Sequence, residues 1–253
     1  MSRSIRTLMS VGAVGTVCMV ATVAQAAEPQ NVKAATQSFS VTLGATRVIY
    51  DPDSAGSSLE VTNPQDYPIL VQSKVTGDDK KTAANFMVTP PVFRLDGGQQ
   101  SRLRIVRVRG EYPKDRESLN WLCVTAVPPK ADDEWAQGEA NKSKTVSLNI
   151  QMSISSCIKL LVRPSSVSGG PEKAGASLTW VQKGGKLEVS NPSPYYMSLT
   201  EVKAGNAKVD SDYVPPFGKT MLTAPGAKSG ETAQWKVITD YGGSSQAFQT
   251  KIQ

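Results

Sequence analysis

The chain has 253 residues, with 28 Lys and Arg against 22 Asp and Glu, and no histidine. That length fits one large or two ordinary domains, and so mild a basic excess favours acidic partners only slightly and gives no sign of nucleic-acid binding. Without histidine, Ser-His-Asp and Cys-His catalysis and every His-bearing metal site are excluded; no metal or other cofactor is expected.

Arg3 and Arg6 precede an apolar run from Leu8 to Val23, and Ala24-Gln25-Ala26 supplies small residues at the cleavage positions. This is the pattern of a secretory signal peptide over residues 1–26. The competing reading, a membrane anchor, suffers from a short run that holds two glycines. Removing 26 of 253 residues leaves 227, with 26 basic side chains against 22 acidic and a net charge of +4. No later apolar run approaches membrane-spanning length, so no membrane insertion is expected after the signal is removed.

The remainder alternates with period two and shows little helical periodicity. Strands are expected at Phe39–Leu43, Ser58–Thr62, Ile69–Val75, Arg102–Val108, Trp121–Val127 and Thr145–Val162. Clusters such as Asp51-Pro52-Asp53 and Asn63-Pro64-Gln65-Asp66 separate them. Many short strands with such punctuation indicate an all-β sandwich. Between Cys123 and Cys157 lies the polar connection Ala131–Lys144, long enough to be functional or disordered. Cys18 leaves with the signal, so Cys123 and Cys157 remain as a pair that reads as a disulfide in an oxidising compartment. Closing a loop of about 35 residues is worth roughly 3–4 kcal/mol in the chain-entropy model.

Around Arg163–Gly170 the text turns rich in serine, glycine and proline and reads as a hinge. Strands are expected again at Leu178–Val181, Lys186–Ser190, Met197–Val202, Lys219–Thr223, Ala233–Ile238 and Ala247–Ile252, enough for a second small sandwich. The domains are therefore placed at 27–164 and 165–253. A faint internal echo, Glu60-Val61-Thr62-Asn63-Pro64 against Glu188-Val189-Ser190-Asn191-Pro192, fits two related modules and also fits a generic strand-to-turn sequence.

The most informative stretch is Thr145–Pro164. Val146, Leu148, Ile150, Met152 and Ile154 alternate with polar residues and so share one face of a strand. Alternation alone favours a half-buried strand facing its own core. The run is nevertheless long against the usual ~5–6 residues, and Phe39, Val41 and Leu43 form a second alternating stripe after a polar leader. Two apolar ribbons overhanging a small domain are read as strands kept for a partner.

The segment from Tyr112 to Pro129, YPKDRESLNWLCVTAVPP, resembles the signature of the periplasmic pilus-assembly chaperones. Further matches are Gly44–Tyr50, Asn63–Pro68, Thr89–Leu95 and Cys157–Pro164, with Asp240-Tyr241-Gly242-Gly243 the clearest in the second half. The cysteine pair, the long loop and the leader before Phe39 resemble the subfamily with a long loop between the last two strands of the first domain. The resemblance implies two immunoglobulin-like β-sandwich domains in a boomerang arrangement, located in the periplasm. The implied partners are a pilus or adhesin subunit lacking its final strand and an outer-membrane usher. Cargo-free chains capping one another through exposed strands stand beside a free monomer as alternatives.

In that family the chaperone lends a strand to complete the subunit's sheet, an established case of β-augmentation. By resemblance Val146, Leu148, Ile150, Met152 and Ile154 would be the inserted residues, and Arg47 and Lys159 would hold the subunit's C-terminal carboxylate. A guanidinium forks onto a carboxylate and an ammonium adds a mobile point charge, which suits both roles. Glu117, Arg163 and Asp240 resemble the family's interdomain ion network. Two other readings stand beside this one: a surface adhesin or structural fibre subunit of sandwich type, and a carboxylate-based hydrolase, which lack of histidine does not exclude.

Overall fold

The computed structural model describes residues 34–129 and 148–253. The signal segment 1–26, the connection Ala131–Lys144 and Val146 lie outside them.

In the N-terminal half the strands are β1 (Ala34–Phe39), β2 (Thr42–Leu43), β3 (Arg47–Tyr50), β4 (Ser57–Thr62), β5 (Ile69–Thr76) and β6 (Phe86–Thr89). They continue with β7 (Val92–Leu95), β8 (Gln100–Arg107), β9 (Ser118–Val127), β10 (Leu148–Ser153) and β11 (Ser155–Val162). One sheet runs β3-β11-β9-β5-β7, a second runs β2-β4-β8-β6, and β1 and β10 form a separate two-stranded ribbon. Alternate residues of the two large sheets meet in one core: Val71, Leu122, Val124 and Leu160 from the first, Val61, Leu103 and Ile105 from the second. This is the packing that period-two sequences produce when each sheet has one apolar face.

β9 breaks that rule, because both of its faces are buried. On the side away from the core, Leu119, Trp121 and Cys123 pack with Leu161 and Ile49, and against Tyr196 and Tyr213 from the C-terminal half. A strand covered on both faces reads as a continuous apolar run, as NWLCVTAV does.

In the C-terminal half a four-residue helix, Pro171–Ala174, precedes β12 (Thr179–Lys183), β13 (Lys186–Ser190), β14 (Met197–Ala204) and β15 (Ala207–Lys208). The remaining strands are β16 (Tyr213–Val214), β17 (Lys219–Thr223), β18 (Thr232–Val237) and β19 (Phe248–Lys251). The sheets are β12-β13-β17 and β15-β14-β18-β19, with β16 also on β14. Their core centres on Trp180 and Trp235, whose rings stand 5.0 Å apart.

The sequence echo is a real structural repeat. Asn63 Nδ2 donates to the carbonyls of Tyr67, Leu95 and Asp96, and Asn191 Nδ2 donates to those of Tyr195, Val214 and Pro215. Each buried amide thus ties its own corner to the strand that returns beside it. Even the turn matches, because Gly98 (φ 68°) and Phe217 (φ 50°) occupy the same left-handed position. Glycine takes that conformation freely; phenylalanine is strained there.

Three expectations need correction. Thr145–Val162 is not one strand: Ile154 separates β10 from β11, because β9 ends at Val127 and the chain past that point changes partners. Phe39–Leu43 is likewise split, and the strand-forming part of the leader is Ala34–Phe39. Third, Phe39 and Val41 do not overhang. They are 1% and 7% exposed, inside the first core, and Leu43 is half-buried against it. Phe39 meets Tyr67 edge-on at 5.2 Å, where β1 leaves the ribbon and enters the sandwich. Alternation fixes which residues share a face; it says nothing of whose residues cover that face.

Candidate functional site

Two features stand out along β11 and the chain that leads into it. The first is the ribbon. β10 runs parallel to β1, with Ile150 opposite Thr36 and Met152 opposite Ser38. Among the described residues β10 has a strand on this side only, so its other edge presents unpaired backbone groups. Ile150 and Met152 on β10 are 42% and 47% exposed, and Ile154 just past its end is 42% exposed, a row of large apolar side chains. Leu148 begins the strand, but its side chain and Val146 fall outside the described residues.

Cys123 and Cys157 join at the base of this ribbon. They face each other across the antiparallel β9–β11 pair, and their Cα atoms are 4.0 Å apart. The bond pins the two strands where both still belong to the sheet. At Ile154 the backbone is held from both sides: its N–H donates to the Phe39 carbonyl, and its own carbonyl accepts from Ala126 N–H.

The second feature is a pair of cations where the two domains meet. β3 and β11 pair in parallel and set Arg47 directly beside Lys159. Arg47 is 8% exposed, and one of its nitrogens, Nη1, donates to the Ile238 carbonyl at 3.3 Å. Its Nε is buried and has no partner among the described residues. Such a buried guanidinium donor is costly unless something arrives to accept from it. Burial draws the Arg47 pKa down, against the pull of the Asp240 and Glu117 charges.

Lys159 points to the same place. Its ammonium donates to Ser198 Oγ at 2.7 Å and stands 4.4 Å from the centre of the Tyr213 ring. Burial, reinforced by the neighbouring Arg47 charge, lowers its pKa to about 8 from 10.5. Lys80, in the β5–β6 turn at φ 60°, lies over the Trp121 ring at 4.1 Å and adds positive charge nearby. Sequence reading missed Ser198, Tyr213 and Lys80, since nothing local to those positions marks them.

Arg163 directly follows β11. Its Nε donates to Glu117 at 2.7 Å, and its two terminal nitrogens fork onto Asp240 at 2.6 and 2.7 Å. The other Glu117 oxygen accepts from Tyr196 N–H at 2.7 Å, so first-domain Glu117 and Arg163 are tied to second-domain Asp240 and Tyr196. Burial pushes the Glu117 carboxyl upward, while Arg163 and the Tyr196 N–H oppose that. Burial acts to lower Arg163, and the hydrogen bonds and charges of Asp240 and Glu117 outweigh it.

Residues 40–168 match the pili and flagellar-assembly chaperone model, PapD N-terminal domain, and residues 173–249 match the pili assembly chaperone PapD C-terminal domain. This chain belongs to the pilus-assembly chaperone family. The chaperone protein AggD of Escherichia coli is 46% identical over 236 residues, covering 92% of this chain and 93% of AggD. Among solved structures, the E. coli chaperone DraB superposes with a TM-score of 0.77 at 46% identity, over 87% of this chain and all of DraB. The SafB chaperone of Salmonella enterica, solved in complex with the SafA pilin, gives a TM-score of 0.78 at 46% identity over the same shares. These are chaperones, not enzymes, and the fibre-subunit reading of the sequence gives way to them. No helix among the described residues is long and apolar enough to cross a membrane.

Proposed function

We propose that this chaperone works in the periplasm after cleavage of residues 1–26. Its two domains are taken as 27–164 and 165–253, and its client is a pilus or adhesin subunit whose sheet lacks one strand. The free edge of β10 completes that sheet. Ile150, Met152 and Ile154, continued by Leu148 and Val146, fill the groove the missing strand leaves. β1 backs the ribbon, with its exposed part at residues 36–38 and Phe39 and Val41 serving the chaperone's own core. The capped subunit then passes to an outer-membrane usher.

The observation that carries this reading is the exposed apolar row along β10 and Ile154, with no strand on β10's other edge among the described residues. Burying each such side chain is worth roughly 1.5–3 kcal/mol, enough for the row to dominate affinity. It cannot set register by itself, because a slip of two residues presents the same face. Arg47 and Lys159 supply that register by holding the subunit's terminal carboxylate, and the unpartnered Arg47 Nε supports a ligand of that charge.

Co-expression with the neighbouring subunit, followed by co-purification, tests the reading. Arg47→Ala and Lys159→Ala are each expected to abolish recovery of the complex while the chaperone stays folded. Full recovery from both variants would refute the anchor.

A further inference from the structure

Arg47 and Lys159 are like charges on adjacent strands, and they repel. Left alone, a lysine on a flexible four-carbon stem would swing away from a buried guanidinium. Here it does not, and the groups that hold it come from the second domain. Ser198 Oγ accepts from the ammonium at 2.7 Å, and the Tyr213 ring offers its electron-rich face at 4.4 Å. The Ile238 carbonyl accepts from Arg47. Ile238 N–H in turn donates to the Ser198 carbonyl at 2.9 Å, and Ser198 and Tyr213 are register partners between β14 and β16. Both cations therefore rest on one small patch of second-domain backbone and side chain. Ser198 is 3% exposed, so this acceptor is built into the interface.

We propose that Ser198, assisted by Tyr213, is the positioning residue for Lys159, so that the second domain decides whether the two cations can close on a carboxylate together. This rests on the carboxylate-anchor reading above and adds to it. The donor strand and both anchor cations belong to the first domain, yet the anchor is complete only when the second domain is docked. A chaperone arranged this way couples its interdomain geometry to cargo recognition. Loosening the docking would release the lysine before it disturbed the ribbon.

The test uses the whole chain and a fluorescent 15-residue peptide of alternating valine and serine, with either a free C-terminal carboxylate or a C-terminal amide. The unaltered chain is expected to prefer the acid. Ser198→Ala should reduce that preference roughly ten- to a hundredfold, the worth of one hydrogen bond to a charged group. Ser198→Thr should restore it. Tyr213→Leu should lower it and Tyr213→Phe should not, which gives a second route independent of the serine. The pH profile separates positioning from simple loss of stability. Lys159 is faced by Arg47 from β3, Lys80 from the β5–β6 turn, Asp212 beside β16 and Glu117 before β9. Only its ammonium loses an acceptor in Ser198→Ala, so the upper limb of acid preference should move to lower pH in that variant. Unchanged acid preference and an unmoved limb in Ser198→Ala would overturn the proposal. Equal binding of acid and amide by the unaltered chain would instead overturn the anchor reading beneath it.

Discussion

β10 and β11 are consecutive lengths of one alternating run, and they have opposite fates. In β11, Leu160 and Val162 are fully buried; in β10, Ile150 and Met152 are about half exposed. The difference lies in their neighbours. β11 has β9 on one edge and β3 on the other, with a second sheet over one face and Tyr213 of the second domain beyond the other. Among the described residues β10 has only β1 beside it. The same amphipathic pattern thus makes a core where neighbours reach it and an open edge where they stop.

Charges placed on the open strand should separate the two halves most sharply. Ile150→Asp with Met152→Asp is expected to weaken subunit binding by about 10²–10⁴-fold, from the loss of two buried apolar side chains in the complex. The urea midpoint of the chaperone alone should barely move; a large shift would mean that those residues serve its own core. The converse substitution in the covered strand, Leu160→Ala, should cost about 2–5 kcal/mol in urea denaturation.

At the junction between the halves, replacing Cys123 and Cys157 together by serine should cost about 2–4 kcal/mol. Hydrogen exchange should rise along β10 more than along β5. Uniform loosening would show that the bond stabilises the whole domain without anchoring the ribbon.

The smallest effect concerns Lys159 and has a defined sign. Its folded pKa is about 8 against 10.5 for an ordinary lysine, so the unfolded chain holds that proton more tightly. The charged side chain therefore costs stability below about pH 8, and that cost fades as pH rises from about 8 to 10.5. Lys159→Met is expected to raise the melting temperature by a few degrees near neutrality, a gain that disappears in alkali, while abolishing acid preference in the peptide assay. No gain near neutrality would mean that Ser198 and Tyr213 fully compensate the burial.

Much of this was legible locally. Alternating strands and the Asn-Pro corners at Asn63 and Asn191 each follow from short-range chemistry, and the structure realises them. Phe39 and Val41 show where local reading stops, because their stripe is indistinguishable from that of Ile150 and Met152 until the neighbouring strands are in place. Ser198 and Tyr213 left no trace at all, since a serine and a tyrosine in a strand carry no mark of the lysine some forty to fifty residues earlier that they hold.

The amino-acid order by itself determined a chain of two sandwiches with a paired cysteine and a run of alternating apolar residues, because those features depend on side-chain type and spacing. Tertiary structure decided which part of that run stays uncovered and which atoms steady the two cations. Both are questions of reach between segments far apart in the chain, and no local pattern encodes where a distant strand ends.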